Sequence, residues 1–252
     1  TYIFREFHHL VRTLKEEAQI IFPSNDLNIA KVLNMGCWSK LISYGINENH
    51  DNSISVHDDS KKTIYKIDEE QGQIDWKMFG EHNARNAMTA ALATKQYGIS
   101  LKDSLSSLAK FQGVSKRQDI LLDTDRLVLI EDFAHHPTAI KTTLEGVRKN
   151  FPTNRLLVAI ELRSNTMKSG LHDKRLVEAT SDADMIFWKS PDFEQVRGLI
   201  NKNPSISFKI EDVDAFVKDF NSISGEGDIL LVMSNGNFDN LSSKILEITT
   251  DE

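Results

Sequence analysis

Three polar segments follow apolar runs in the second half of the chain and carry residue types that binding and catalytic sites use. They are Glu131–Pro137, Glu161–Lys168 and Ser234–Asp239. The runs before them are continuous and apolar, which is typical of strands in a buried parallel sheet. Ligands of such sheets bind outside the carboxyl ends of the strands, so these segments are candidate ligand-binding loops. The alternative is that they only cap helices and form turns.

The first of these segments also contains groups that bind zinc or iron. They are the carboxylate of Asp132 and the imidazoles of His135 and His136. The two histidines are adjacent, so their side chains diverge, and no further histidine or cysteine lies nearby at ligand spacing. We therefore favour a rigid turn before Pro137, in which one imidazole is hydrogen-bonded, over a metal site.

A second candidate site lies in the first half, where Phe79–Ala87 joins a strand to an alanine-rich helix. Asn83 and Asn86 are three residues apart, which predicts that they share one face of the first helical turn. A carboxamide offers both a donor and an acceptor and is able to pair with the edge of a purine. The sequence alone does not separate this role from helix capping by Asn83.

Signals for phosphate binding are weak. Lys116 and Arg117 form a cationic pair that is able to reach a phosphate, although surface charge is the simpler interpretation. The chain contains no Gly-x-x-x-x-Gly-Lys-Ser/Thr motif and no Gly-x-Gly-x-x-Gly motif. A nucleotide enzyme built only from these residues would lack its main phosphate-binding loop.

The elements that must position these candidate sites change in character along the chain, and those of the first half come first. Apolar residues spaced for one helical face predict a helix over Tyr2–Lys15. Short alternating runs between polar turns predict a small antiparallel β region over Lys40–Phe79. A helix is predicted over Ala84–Tyr97, ended by Gly98, with Ser100 capping the next one.

Beyond residue 121, β-rich apolar runs alternate with helical patterns. This alternation predicts βαβ units and a Rossmann-like, mostly parallel sheet. The turn-like Asp123–Asp125 lies at the change of pattern, so we place a boundary there, between domains of residues 1–121 and 122–252. The predicted strands are Leu127–Ile130, Leu156–Ile160, Met185–Trp188, Ile206–Ile210 and Ile229–Met233.

Composition and charge limit the classes of function. The 252 residues are 40% hydrophobic and 27% charged, with a formal net charge of −7. These values indicate a globular chain and argue against nucleic acid or an anionic membrane as the partner. No apolar run is long enough to span a bilayer. The single cysteine, Cys37, cannot form an internal disulfide, which is typical of a cytoplasmic protein.

Six motifs, in order, resemble the Mur ligase family. Phe79–Ala87 resembles its Gly-x-His-Asn-x-x-Asn-Ala motif, and Ile130–Thr138 resembles the opening of its C-terminal domain. Leu162–Lys168 is more specific, because it resembles the branch of the family that acts on a tripeptide. Three shorter segments resemble the same branch, namely Phe7–Val11, Met35–Ser39 and Val232–Gly236.

The resemblance implies an ATP-dependent amide-bond ligase of peptidoglycan recycling. It would join UDP-N-acetylmuramate to the tripeptide L-Ala-γ-D-Glu-meso-diaminopimelate through an acyl phosphate. Family members have a UDP-sugar domain, a central P-loop ATPase domain and a Rossmann-like C-terminal domain. The first domain and the P-loop half of the second have no counterpart in these residues. We therefore expect a fragment that is inactive alone, with residues 1–121 belonging to the ATPase domain and 122–252 forming the C-terminal domain.

The resemblance also implies roles for single residues. ATP and Mg²⁺ are the cofactors expected of the complete enzyme, and neither a catalytic residue nor a metal ligand is expected in this chain. The positions that match the family's adenine-binding residues are His82, Asn83 and Asn86, and those that match its ribose and phosphate contacts are Arg117 and Asp132. The residues expected to face the incoming peptide are Arg163, Ser164, Asn165, Thr166, Ser234, Asn235 and Gly236.

Two function classes stay open at this point. The leading hypothesis is the ligase, and the alternative is a non-catalytic Rossmann-like module that binds an anionic peptide or nucleotide. In the ligase, Arg117 and Asp132 would meet one nucleotide from opposite sides of the boundary, which requires the C-terminal domain to swing. Leu121–Asp125 is the predicted hinge.

Overall fold

The computed structural model describes residues 2–47, 50–57, 62–74, 78, 80–111, 113–163 and 173–250. The chain divides into two compact units, residues 1–112 and 113–252. No helix within the described ranges combines the length and the apolar character needed to cross a bilayer.

The first unit contains a five-stranded sheet and four helices within its described residues. Its helices are α1 (Tyr2–Thr13), α2 (Leu27–Leu33), α3 (Glu81–Lys95) and α4 (Leu101–Leu108). Its strands are β1 (Gln19–Pro23), β2 (Lys40–Ile46), β3 (Asn52–His57), β4 (Lys62–Ile67) and β5 (Glu70–Gln73).

The strands of this sheet follow in chain order, from β1 to β5. β3, β4 and β5 pair antiparallel, which confirms that part of the predicted β region. The prediction is wrong for β2, which runs parallel to both β1 and β3. For the pair with β1, the reason is that α2 connects the two strands, and a strand that returns through a helix lies parallel to its predecessor. Residues 75–77 and 79, also assigned to this region, lie outside the described residues.

The core of the first unit forms where α3 packs on the sheet. Ala84, Ala87 and Ala91 of α3 are buried, and their small side chains let the helix approach Ile54 and Tyr65, which are fully buried. Burial raises the pKa of the Tyr65 phenol far above its ordinary value.

The helix that follows α3 begins as predicted. Ser100 is the N-cap of α4, and its hydroxyl accepts a hydrogen bond from the Asp103 amide at 3.1 Å. The preceding chain turn has a positive φ of 79° at Gly98, a conformation that glycine adopts without strain.

The second unit contains a six-stranded sheet. Its strands are β6 (Asp119–Asp123), β7 (Leu127–Asp132), β8 (Leu156–Glu161), β9 (Met185–Lys189), β10 (Ser207–Lys209) and β11 (Asp228–Met233). Its described helices are α5 (Pro137–Asn150), α6 (Asp173–Ala179), α7 (Phe193–Lys202), α8 (Val213–Ile223) and α9 (Leu241–Thr250), the last preceded by a 3₁₀ turn at Phe238–Asn240.

The strand order of this sheet is β10-β9-β8-β11-β7-β6, and only β6 pairs antiparallel. This confirms the Rossmann-like, mostly parallel sheet and all five predicted strands. Connections between parallel strands are right-handed, so helices lie on opposite faces when the chain reverses its direction across the sheet. α8 and α9 share one hydrophobic cluster with alternate residues of β7, β8 and β11, such as Leu129, Ala159 and Leu230. α5, α6 and α7 pack in series with one another.

The predicted hinge does not match the backbone seen in the second unit. Leu121–Asp125 begins inside β6, which pairs with β7 over Asp119–Asp123. A rotation there would break ladder hydrogen bonds, so a hinge at these residues is wrong. The division between the two units lies between residues 112 and 113, ahead of β6. Arg117 and Asp132 therefore both belong to the second unit, so the expectation from the sequence that they lie on opposite sides of the division is wrong.

Candidate functional site

The carboxyl ends of β8, β11 and β7 lie side by side, because these strands are neighbours in the sheet. The polar segments that follow them begin after Glu161, Met233 and Asp132. The sheet therefore gathers three segments that are far apart in sequence into one edge, where the strand-end rule places ligands.

Asp132, at the end of β7, is 4% exposed. One carboxylate oxygen accepts a hydrogen bond from the Gln118 amide at 2.9 Å. The other accepts from the Ala134 amide at 2.7 Å and the Thr143 hydroxyl at 3.3 Å. Burial raises the pKa of this carboxyl above its ordinary value, although these bonds and nearby Arg117 oppose the rise. Asp132 thus organises the backbone on both sides of the site, and its direct contact with a nucleotide stays a prediction.

Arg117 projects from a segment that is held at two points. Its guanidinium carbon lies 5.5 Å from the centre of the Phe133 ring. The neighbouring Lys116 and Gln118 have positive φ angles of 59° and 50°, which are uncommon for residues other than glycine. Lys116 Nζ donates a hydrogen bond to the Gly236 carbonyl at 2.6 Å. The segment is therefore tied to the loop after β11 as well as to β7, which fixes where Arg117 emerges.

The loop after β11 is organised by Ser234, which is 5% exposed. Its hydroxyl donates a hydrogen bond to Glu161 at the end of β8 and accepts one from the Gly236 amide at 2.8 Å. Asn235 Oδ1 is buried, and no donor within the described ranges reaches it. Buried acceptors are normally satisfied, so this oxygen suits an N–H group of a ligand.

Arg163 lies across this loop. A Cβ atom on residue 236 would stand 3.0 Å from both Cδ and Cζ of Arg163, so the glycine is what allows the guanidinium to lie there. The structure thus brings together four of the residues that were expected to face the incoming peptide, namely Arg163, Ser234, Asn235 and Gly236. The other residues assigned to that ligand, Ser164, Asn165 and Thr166, lie outside the described residues.

A cavity of about 390 Å³ opens beside Arg163, at the ends of β8, β9 and β10. Its wall includes Lys189, Lys209 and Glu211, which sequence analysis did not select. Lys189 and Glu211 directly follow predicted strands, so the strand-end rule extends to them, whereas Lys209 lies within the predicted strand Ile206–Ile210.

The two histidines after β7 serve the turn, in line with the preferred interpretation. His136 is the N-cap of α5, and its ring Nδ1 accepts from the Thr138 amide at 3.4 Å. His135 Nδ1 lies 2.9 Å from the Phe133 carbonyl. Within the part of the chain that the structure describes, no group of three or more His, Cys, Asp or Glu residues is placed to hold a metal ion.

The adenine-binding candidates lie in the first turn of α3. The helix begins after Gly80, whose φ of 90° is accessible to glycine, and no side chain caps it. Asn83 is therefore not the cap. It is buried, whereas Asn86 is exposed and His82 is half-buried. Both carboxamides lie in α3, three residues apart, but they differ in exposure, because α3 turns its Asn83 side towards the sheet on which it packs.

Comparisons with known proteins follow the same division of the chain. Residues 1–94 match the Mur ligase middle domain, and residues 116–236 match the Mur ligase, glutamate ligase domain. The UDP-N-acetylmuramate–L-alanyl-gamma-D-glutamyl-meso-2,6-diaminoheptandioate ligase of Escherichia coli is 32% identical over 249 residues, which are 97% of this chain and 54% of that protein. The Haemophilus influenzae protein of the same name is 29% identical over 248 residues, 97% of this chain and 55% of that protein.

Solved structures give the same picture. A murein peptide ligase from Psychrobacter arcticus has a TM-score of 0.70 at 30% identity, covering 97% of this chain and 54% of that one. A MurF ligase from Thermotoga maritima, solved in complex with ADP, has a TM-score of 0.74 at 15% identity, covering 99% of this chain and 57% of that one, and shows the shared fold alone. The chain spans about half the length of the curated relatives it matches. With both domain models matched in order along it, this chain belongs to the Mur ligase family.

Proposed function

We propose that these residues carry part of an ATP-dependent ligase that joins UDP-N-acetylmuramate to the tripeptide L-Ala-γ-D-Glu-meso-diaminopimelate in peptidoglycan recycling. The relatives from Escherichia coli and Haemophilus influenzae are named for that ligation and align with 97% of this chain. A cytoplasmic location belongs to the same proposal and is supported by the single thiol of Cys37.

One observation carries the proposal most directly. Arg163 lies across Gly236, beside the hydrogen bond between Ser234 and Glu161 and the Asn235 oxygen, which no donor among the described residues reaches. Arg163 also lines the cavity at the ends of β8, β9 and β10, and its guanidinium is a suitable partner for a peptide carboxylate. A guanidinium and an amide oxygen at the same strand edge offer a donor and an acceptor to a peptide.

The proposed reaction requires the peptide and the nucleotide to bind close to one another. A carboxylate is a poor acyl donor, because its leaving group would be oxide. Transfer of the γ-phosphoryl group of ATP gives an acyl phosphate, which the peptide amine attacks, and phosphate leaves as the tetrahedral oxyanion collapses. In this scheme Arg163, Ser234 and Asn235 hold the peptide, while Arg117 offsets negative charge on the nucleotide.

The adenine end of ATP is assigned to the start of α3. Asn86 is exposed and is the residue we expect to contact the base, together with the half-buried His82. Asn83 is 6% exposed, so we assign it to holding the helix start in place.

Mg²⁺ belongs to the same proposal as a cofactor of the complete enzyme. Within the described ranges no group of three or more His, Cys, Asp or Glu side chains is placed to hold a metal ion. A nucleotide-bound Mg²⁺ needs only one or two protein carboxylates, because phosphate oxygens and water supply its other ligands.

The test joins this chain to the preceding half of the Escherichia coli relative and measures tripeptide-dependent phosphate release. We expect activity from the joined protein and none from the 252 residues alone, which contain no P-loop motif. Arg163→Ala should raise the KM for tripeptide about ten- to a hundred-fold, the effect of losing a charge-assisted hydrogen bond, and leave the KM for ATP unchanged.

Arg197→Ala is the matched control, because Arg197 is a surface residue of α7 that pairs with Glu194. It should leave both KM values unchanged. A joined protein that binds peptide or nucleotide but never releases phosphate would instead support the non-catalytic binding module. If Arg163→Ala changed only the KM for ATP, the assignment of Arg163 to the peptide would be wrong.

A further inference from the structure

A second crevice lies at the outer side of the same sheet, between β9 and β10. The chain moves outward from β8 to β9 to β10 and then returns inward to β11. Because parallel crossovers are right-handed, α7, which follows β9, and α8, which follows β10, lie on opposite faces. Strand ends whose helices diverge in this way leave a crevice between them, and the cavity of about 390 Å³ is found there.

The wall of this cavity carries charges of both signs. Arg163, Lys189 and Lys209 contribute three cations, and Glu161 and Glu211 contribute two carboxylates. Four of these five already have defined partners. Lys189 forms an ion pair with Asp239, Lys209 pairs with Glu211, and Glu161 accepts a hydrogen bond from Ser234. A wall of this kind suits a ligand that is itself zwitterionic, because each ligand charge then meets an opposite charge.

Two contacts position the ammonium group of Lys209 in the crevice. Its Nζ lies 3.1 Å from Glu211 Oε1 and 4.3 Å from the centre of the Phe193 ring at the start of α7. The side chain of Lys209 is 24% exposed and that of Glu211 is 78% exposed. The ammonium is therefore pre-positioned by β10 and α7, while the carboxylate faces the opening.

The distances along the sheet match the length of the peptide. Neighbouring strands lie about 4.8 Å apart, so β10, three strands from β11, lies about 14 Å from the Ser234 loop. Three extended residues span about 11 Å. The γ-linked glutamate and the seven-carbon third residue lengthen the proposed tripeptide further. A peptide held at Arg163 and Asn235 would therefore place its far end beside Lys209.

The geometry points to a subsite, formed by Lys209 and Glu211, for the zwitterionic end of the third residue of the incoming peptide. Lys209 receives the carboxylate at that end and Glu211 receives the ammonium, while Arg163 holds a carboxylate nearer the reacting amine. This inference rests on the proposed function for the identity of the peptide, and it assigns two residues that distinguish peptides by their far end.

The test is a binding titration of the 252-residue chain by calorimetry with three synthetic peptides. The first is L-Ala-γ-D-Glu-meso-diaminopimelate. The second has lysine as its third residue and lacks the distal carboxylate, and the third has 2-aminoheptanedioate and lacks the distal ammonium. We expect the first to bind about ten-fold more tightly than either analogue, the effect of one charge-assisted hydrogen bond.

Two variants and one control assign the effect. Lys209→Met should remove the preference over the lysine peptide, and Glu211→Gln should remove the preference over the aminoheptanedioate peptide. Glu211 is exposed, and methionine keeps most of the apolar stem of the half-buried Lys209, so the fold should persist, which circular dichroism would check. Lys244→Met is the control, because Lys244 forms a comparable surface pair with Asp214 at 2.6 Å. It should leave both preferences intact.

The outcomes separate this inference from the proposed function. Equal binding of the three peptides, binding of none of them, or unchanged preferences in Lys209→Met would overturn the subsite. The ligase proposal would still stand if the joined protein released phosphate with the tripeptide. Selective binding by a joined protein that never ligates would overturn the ligase proposal and leave the subsite in place.

Discussion

The two sheets of this protein differ in how completely they are covered. In the second unit, all six residues of β11 are buried, as are the first five of β8. In the first unit, β1 contains no buried residue, and neither does α1. The apolar side of α1 stays exposed, with Tyr2 at 79%, Phe7 at 57% and Leu10 at 59%.

The difference teaches which part of the chain is self-sufficient. A parallel sheet is stable when helices cover both faces, and the second unit supplies them from its own sequence. The first unit buries its α3 side, but α1, which packs against α2, leaves Tyr2, Phe7 and Leu10 exposed. Exposed apolar patches of this kind mark contact sites, so we expect the first unit to depend on further polypeptide for full stability.

The largest expected effect comes from separating the two units. Residues 113–252 expressed alone should show one cooperative thermal transition by circular dichroism. Residues 1–112 alone should unfold without a sharp transition and bind the dye ANS, because their apolar face is open. A sharp thermal transition of residues 1–112 without ANS binding would contradict this difference between the two units. The whole chain serves as the reference for both fragments.

A smaller effect comes from matched truncations of isoleucine in the two sheets. Ile160 in β8 is fully buried, whereas Ile20 in β1 is half-buried. Ile160→Ala should lower the free energy of unfolding by about 2–5 kcal/mol, and Ile20→Ala by about 1 kcal/mol. Urea titrations measure both, with the Ile→Val change at each position as the milder control. Equal losses at the two positions would contradict the difference in coverage.

The smallest expected effect concerns acid. Asp184 precedes β9, and its burial alone would raise the pKa of its carboxyl. Hydrogen bonds from the Leu156 amide at 2.8 Å and from Arg148 at 2.7 Å outweigh burial and hold that pKa below its ordinary value. The ionised carboxylate therefore stabilises the second unit at pH values above the ordinary pKa of aspartate. This contribution is lost as the pH falls through the lowered pKa of Asp184 in the folded state.

Asp184→Asn should therefore lower the free energy of unfolding by about 1 kcal/mol at pH 7 and by less at pH 3. The expected loss is small because the side chain is half-exposed. Urea midpoints at the two pH values would show it. Asp182→Asn is the control, because Asp182 meets Arg148 through its backbone carbonyl. If Asp184→Asn keeps the wild-type dependence on pH, this account of Asp184 is wrong.

Local patterns predicted much of the second unit. The continuous apolar runs became its strands, and the stripe of Val213, Phe216 and Phe220 became the buried face of α8. Asp212 caps that helix, accepting a hydrogen bond from the Ala215 amide at 2.8 Å. Such features were predictable because periodicity and capping depend on residues close in sequence.

The features that local patterns do not predict depend on contacts between residues that are distant in sequence. β2 was predicted as part of a hairpin, but its side-chain pattern does not reveal that it pairs with β1 across a helix. β6 was read as a turn and hinge, because Leu121–Asp125 is polar at one end, and only its ladder with β7 makes it a strand. The spacing of Asn83 and Asn86 predicts one helical face, but it does not reveal how the helix is rotated against its sheet, which buries Asn83 and leaves Asn86 exposed.

The sequence by itself determined the alternation of strands and helices, the family to which the chain belongs and the polar segments at the strand ends. Only the tertiary structure decided which of those segments meet. Strand order places β11 between β8 and β7, which brings Ser234 to Glu161 and lays Arg163 across Gly236. It also opens the crevice lined by Lys209 and Glu211. The physical reason is that strand order follows from burying both faces of the whole sheet at once, and no local segment encodes that requirement.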